Sequence, residues 1–207
     1  MQVLHRVSFL LTLLVMVVST STQVIAQTTV FTFEGQSDGT PITSIYSSLG
    51  VDFSGATIAT AGLTLNESEF PPVSGNNVIF DDGGPITGKF SHLVTSYGGY
   101  FTYASPITLV AYDQLGHVLT TTTSSFSQNF TSSGNAPNEF LSLTDSAGIS
   151  SFSIEGAPDG SSFTLDDFTL TSGASSVPEP SPSIPFAIGS AILSALLWRK
   201  RHISLRQ

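Results

Sequence analysis

The chain of 207 residues contains no cysteine and few charged residues. Without cysteine, the protein has no disulfide, no thiolate metal ligand and no cysteine nucleophile. Lys89 is the sole Lys or Arg between residues 27 and 176, a segment that holds 14 acids and so carries a net charge of −13. Such a field excludes nucleic acid and anionic lipid as partners and suits cations; the alternative is that it serves solubility alone.

The amino terminus has the pattern of a secretory signal peptide spanning residues 1–26. Residues 5–6 form a sparse basic region, and residues 7–18 are an apolar core of 12 residues, too short for a comfortable membrane span. The small residue Ala26 ends a sequence suited to signal peptidase. We therefore expect the secretion machinery to export the protein, with cleavage between Ala26 and Gln27; the alternative is an uncleaved anchor.

The carboxyl terminus combines a short motif, an apolar segment and a basic cluster. Pro178-Glu179-Pro180 stands in a Gly/Ser/Pro linker at residues 172–183, and the 15 residues from Ile184 to Trp198 hold no charge. Arg199, Lys200 and Arg201 follow, and such cations stay on the cytoplasmic side. At ~1.5 Å per residue the apolar segment spans roughly 22 Å, less than the ~30 Å hydrocarbon core. The pattern predicts a short transmembrane helix at 184–198 and a basic cytoplasmic tail at 199–207.

These three parts, in this order, resemble the PEP-CTERM sorting domain, which is also catalogued as the ice-binding protein C-terminal domain. The resemblance covers residues 177–201 and no other part of the chain. It implies that a membrane-embedded exosortase recognises Pro178, Glu179 and Pro180 and cleaves nearby. It also implies a protein that is held in the membrane at least transiently, then released or attached at the surface of an exopolysaccharide-producing bacterium.

Residues 27–171 have the pattern of one all-β domain. Gly, Ser, Thr, Asn and Pro are frequent, strong helix formers are sparse, and short apolar runs alternate with turn residues. Ten short strands without a helical interlude predict a two-sheet β-sandwich of the jelly-roll type, with a long loop near residues 66–76. The strands are expected at residues 28–33, 51–59, 77–80, 87–94, 97–103, 107–112, 118–124, 139–144, 149–155 and 162–170.

Three carboxylates form a candidate cation site. The apolar alternation of the closing strand changes phase at Asp166 and Asp167, and a β-bulge there would restore the register and redirect both side chains. If the first and last strands are neighbours, Glu34 joins one of the two Asp residues. Oxygen ligands of this kind suit a structural calcium ion. The alternative is that the two Asp residues are solvated acids on a sheet edge.

An aromatic stretch is the candidate ligand-binding surface. Tyr97, Phe101 and Tyr103 share one face of a strand that also contains two glycines, and Tyr100 lies on the other face. Exposed rings beside glycine can stack on a sugar, so Tyr97, Tyr100 and Tyr103 are the candidates. The alternative is that this stretch belongs to the hydrophobic core, as most such strands do.

Signatures of catalysis are weak. His92 and His117 have neither metal-ligand spacing nor a nucleophile elbow nearby. Asp81-Asp82-Gly83-Gly84 fits a turn better than a cation loop. The Thr120–Thr123 run is a single strand, without the repeated strands that an ice-binding array needs, and it reflects strand propensity.

The sequence therefore predicts an exported, non-enzymatic β-sandwich with a structural or adhesive role at the cell surface or in the extracellular matrix. Exosortase is its expected sorting partner, and extracellular polysaccharide is a further candidate partner. The alternative function is that of a carbohydrate-binding module. A small glycan-active enzyme is a third hypothesis, since a carboxylate pair for glycoside hydrolysis needs only spacing in three dimensions.

We predict that the tail is processed rather than kept as a permanent anchor, because its apolar segment is short for a bilayer and Pro185 weakens its first turn. In a host that carries an exosortase, mass spectrometry should find mature protein ending near residues 177–181. Replacing Pro178-Glu179-Pro180 with three alanines should leave the intact tail in the membrane fraction. Retention of the tail by both proteins would show a plain anchor.

Overall fold

The structure, a computed structural model, describes residues 26–173. These residues belong to one compact unit that has its own hydrophobic core. Residues 1–25 of the predicted signal peptide, the sorting motif and the apolar tail segment lie outside the described residues. Within residues 26–173, no helix has the length and apolar character needed to cross a membrane.

The described domain is all-β, as the sequence predicts, and every pairing between its strands is antiparallel. Single turns of 3-10 helix occur at Ser47–Leu49 and Thr131–Ser133. The ten strands are β1 Gln27–Phe31, β2 Pro41–Ile42, β3 Val51–Ser54, β4 Ala56–Thr60, β5 Asn77–Asp81, β6 Ile86–Tyr103, β7 Thr108–Tyr112, β8 Val118–Thr123, β9 Glu139–Glu155 and β10 Phe163–Ser172.

The strands form one continuous sheet in the order β2-β4-β5-β10-β6-β9-β7-β8, with β1 beside β10 and β3 beside β6. The sheet folds into two layers because β6 and β9, of 18 and 17 residues, are long enough to serve both. The first layer contains β3, β7, β8, residues 86–90 of β6 and residues 149–155 of β9. The second layer contains β1, β2, β4, β5, β10, residues 94–103 of β6 and residues 139–144 of β9.

The structure corrects three predicted strand boundaries. The strands expected at 87–94 and 97–103 are one strand, β6, and those at 139–144 and 149–155 are both part of β9. Irregular pairing between Lys89 and Ser96 breaks the two-residue period there, which makes one bent strand look like two in the sequence. Conversely, the predicted strand 51–59 is divided at Gly55, which has a φ of 74°.

Gly55 carries the chain from the first layer to the second. A Cβ atom at this position would lie 2.5 Å from the backbone oxygen of Pro85, and the positive φ is one that other residues rarely adopt. Both constraints require glycine, so the crossing between β3 and β4 depends on this residue.

Aromatic rings pack between the two layers. The Phe168 ring of the second layer lies 5.1 Å from the Phe53 ring and 5.3 Å from the Phe152 ring of the first layer, measured between centroids. The Tyr97 ring lies 4.9 Å from Phe152, and the Tyr97 hydroxyl donates to the Val110 carbonyl at 2.9 Å. Burial raises the pKa of Tyr97, so the hydroxyl stays protonated as a donor. These contacts fix how the layers face each other.

The predicted β-bulge is present in β10. Its partner positions on β6 pass from Tyr100, opposite Asp166, to Gly98, opposite Thr169, so β10 contains one extra residue. Asp167 accommodates this residue with a φ of 45°. The bulge turns Phe168 into the core, and the last five residues of β10 pair with β1, which confirms that the first and last strands are neighbours.

We expect Phe168→Ala to lower the free energy of unfolding by about 3–5 kcal/mol, because it removes a buried ring from between the layers. Phe140→Ala is the matched control, since the Phe140 side chain is 49% exposed and its loss should cost far less. Urea denaturation of both variants measures the difference. Equal losses would contradict the assigned role of Phe168.

Candidate functional site

The outer face of the first layer forms an open groove of about 430 Å³. The antiparallel register sets two rows of outward side chains along it. The first row, across β3, β6, β9 and β7, consists of Asp52, Lys89, Ser151 and Tyr112. The second row consists of Ser54, Thr87 and Ser153. Neighbouring strands lie ~4.8 Å apart, so the first row extends over roughly 14 Å.

A hydrogen-bonded chain orients the aromatic ring of the groove. The Tyr112 hydroxyl lies 3.2 Å from the Ser153 hydroxyl, which in turn donates to a Glu155 carboxylate oxygen at 3.1 Å. Tyr112 is half-buried, while Ser153 is buried. The groove therefore presents a positioned ring beside polar groups, a combination that binds ligands with an apolar face and hydroxyl edges.

Lys89 gives the groove the only Lys or Arg side chain of the domain. Asp52 lies directly opposite Lys89 on β3 and accepts a hydrogen bond from the Ser47 hydroxyl. Among residues 26–173, Lys89 forms no ion pair within 4.0 Å, and its side chain is exposed. The ammonium group is therefore able to donate hydrogen bonds to a bound molecule.

The three carboxylates predicted to bind calcium all accept hydrogen bonds from one segment, residues 73–77. Glu34 accepts hydrogen bonds from two successive backbone N–H groups at 2.9 and 2.8 Å. Asp166 accepts two others at 2.7 and 2.9 Å, and Asp167 accepts a bond from the Ser74 hydroxyl at 2.7 Å. The structure thus brings the three acids to the same segment, where they fix the loop against β10.

No cluster of three or more His, Asp or Glu side chains that could hold a metal ion occurs within residues 26–173. A calcium ion at Glu34, Asp166 and Asp167 remains a prediction, which melting curves recorded with calcium and with a chelator test. Asp166 is 2% exposed, and burial raises its pKa to about 6 although three N–H groups donate to it. Burial likewise raises the pKa of Asp81.

The three candidate tyrosines differ in their exposure. Tyr97 and Tyr103 are 1% and 0% exposed, so they belong to the core and offer no ring face to a ligand, which corrects their assignment as binding residues. Tyr100 points to the opposite, outer face, as the alternation predicts. Its ring packs against Phe140 on β9 with a centroid separation of 5.0 Å. This pair is a smaller aromatic surface on the second layer.

The remaining candidates are two histidines and the first aspartate of the Asp81-Asp82-Gly83-Gly84 turn. His92 is exposed, and the exposed His117 lies 3.1 Å from Asp113 in the turn between β7 and β8. Buried Asp81 accepts bonds from the backbone N–H and hydroxyl of Ser162, so it ties the turn after β5 to the start of β10. None of these residues contributes to the groove.

No local sequence pattern indicates the groove. Its side chains come from four strands, and only the pairing register places them in one row. Tyr112 ends a strand that is apolar on both faces, a pattern that predicts burial rather than a site. Lys89 gave the one available signal, because it is the single Lys or Arg of an acidic domain.

No family model matches the chain, and no curated protein matches its sequence. Similar solved structures include a cleaved adhesin domain of Lys-gingipain, with 12% identity, a TM-score of 0.45, and coverage of 70% of this chain and 99% of that chain. A variant of a family 29 carbohydrate binding module has 14% identity and a TM-score of 0.42, covering 75% and 99%. The family 11 module from Clostridium thermocellum, in complex with a mixed-linked tetrasaccharide, has 11% identity and a TM-score of 0.34, covering 73% and 98%. Identities of 11–14% and TM-scores below 0.5 support no conclusion about the function of this chain.

We expect Asp166 to make stability pH-dependent. Its folded-state pKa of about 6 lies above the ordinary 3.8, so its contribution is greatest below pH ~4 and falls as the pH rises through ~6. The difference in unfolding free energy between wild type and Asp166→Asn should therefore shrink between pH 4 and pH 7. Asp159→Asn, at an exposed site, is the control for the removal of one carboxylate. Parallel pH profiles for all three proteins would contradict the assignment.

Proposed function

We propose that residues 26–173 form a non-catalytic carbohydrate-binding module whose ligand lies in the groove of the first layer. The observation that carries this proposal is the row of Asp52, Lys89, Ser151 and Tyr112 across four paired strands. A sugar has an apolar face, which the Tyr112 ring can contact, and hydroxyls that both accept and donate hydrogen bonds. Lys89 supplies donors, Asp52 supplies acceptors, and the serine hydroxyls supply both.

The ligand class that fits best is an uncharged polysaccharide. A net charge of −13 over the domain repels a polyanionic chain at long range, and one lysine does not reverse that field. A row of roughly 14 Å along an open groove offers contact to more than one sugar ring. The groove therefore suits an internal stretch of a neutral chain better than a free monosaccharide.

We further propose that the module acts outside the cell, where it links matrix polysaccharide to the cell surface. The predicted signal peptide, the exosortase motif and the apolar tail segment support this placement, although all three lie outside the described residues. The structural or adhesive role expected from the sequence then follows from polysaccharide binding. We also infer that the two layers form a sandwich of the jelly-roll type.

Two tyrosines provide a matched test, because Tyr112 lies in the groove and Tyr100 lies on the outer face of the other layer, and both are half-buried. Against a panel of soluble neutral polysaccharides, Tyr112→Ala should weaken binding at least tenfold, which is about 1.4 kcal/mol. Tyr100→Ala should bind as wild type does. Affinity electrophoresis followed by calorimetry measures both, with circular dichroism to verify folding.

Loss of binding in Tyr100→Ala but not in Tyr112→Ala would move the site to the Tyr100 and Phe140 pair. Absence of binding across the panel would remove the carbohydrate proposal. Release of new reducing ends from the same polysaccharides, abolished by Asp52→Asn or Glu155→Gln, would establish the enzymatic alternative instead.

A further inference from the structure

Strand β8 forms an open edge of the first layer. It stands at the end of the strand order, and β7 is its one strand partner among the residues that the structure describes. Side chains at three of its six positions are exposed, including Thr121 and Thr123. An edge of this kind presents a row of unpaired backbone N–H and C=O groups, which another strand can pair with.

The register with β7 shows which groups point outward. The Ser124 N–H donates to the Ile107 carbonyl at 3.0 Å, so this position is a hydrogen-bonded pair. Hydrogen-bonded pairs alternate with non-hydrogen-bonded pairs in an antiparallel ladder, and Thr108 lies opposite Thr123. The N–H groups of Thr121 and Thr123 therefore point away from β7.

This edge lacks the protection that the edges at β2 and β3 have. Natural edge strands are kept short, charged, interrupted by proline or covered. Strand β2, at the other end of the strand order, has two residues and begins with Pro41. The free side of β3 is covered, since Phe53 donates its N–H to the Thr43 carbonyl at 2.9 Å. By contrast, no charged residue occurs between Val118 and Asn138.

We propose that β8 pairs in antiparallel fashion with β8 of a second copy of this chain. Each domain carries a net charge of −13, so two copies repel each other over most approaches, and the uncharged β8 edge lowers the electrostatic cost of contact. Pairing an edge with its own copy also satisfies two-fold symmetry. The contact is small compared with a stable interface of about 1,600 Å², so it forms where copies are concentrated. This proposal does not depend on carbohydrate binding.

The absence of cysteine allows a direct test with the full-length chain. Single-cysteine variants Thr121→Cys, Thr122→Cys and Thr123→Cys are purified, concentrated and mildly oxidised. At least one should give a disulfide-linked dimer, because a disulfide needs Cα atoms only about 4.4–6.8 Å apart. Thr144→Cys, at an exposed position on the second layer, controls for random collision.

A second test asks whether the contact uses backbone hydrogen bonds. Adding Thr123→Pro to Thr121→Cys or Thr122→Cys removes an outward N–H and should lower the dimer yield at least fivefold, whereas Thr123→Val keeps that N–H and should not. Melting curves verify that both variants fold. Dimer yield should rise with salt, because the Debye length falls from about 30 Å at 0.01 M to about 8 Å at 0.15 M. Yields no higher than that of Thr144→Cys, or yields unaffected by Thr123→Pro, would overturn the proposal.

Discussion

The bulge at Asp167 is the constraint on which the rest of the domain depends. One extra residue in β10 turns Phe168 inward, where its ring packs against Phe53 and Phe152 of the facing layer. Asp166, just before the bulge, accepts hydrogen bonds from the backbone of the long loop, and the extra residue sets the register in which β1 pairs with β10. Core packing and closure by the first strand therefore share one local cause.

The packing of this core fixes the arrangement of the groove side chains. Phe53 and Phe152 alternate along their strands with the outward residues Asp52 and Ser151, so fixing the rings inside also fixes the row outside. A site built across paired strands requires little reorganisation when a ligand binds. This arrangement separates stability, which resides between the layers, from the proposed binding surface on the outer face.

The sequence predicted the features that depend on local pattern, namely the all-β class, the loop before β5 and the phase change at Asp166 and Asp167. The sequence did not predict the features that depend on how distant strands and loops pair. Long β6 looked like two strands, because its irregular pairing breaks the two-residue period. No local pattern indicates that Glu34 and Asp166 accept N–H groups from a distant loop. The Lys89 and Tyr112 row depends on the register of four strands, which no single segment encodes.

The most direct measurement is a nuclear magnetic resonance titration of the 26–173 domain with oligosaccharides from a polysaccharide that it retains. Backbone amide shifts report every residue at once, so the location of the ligand needs no substitution. The changes should cluster at Lys89, Tyr112 and Ser151 and spare Tyr100 and Phe140. Changes centred on Tyr100 and Phe140, with the groove unaffected, would contradict the placement of the site on the first layer.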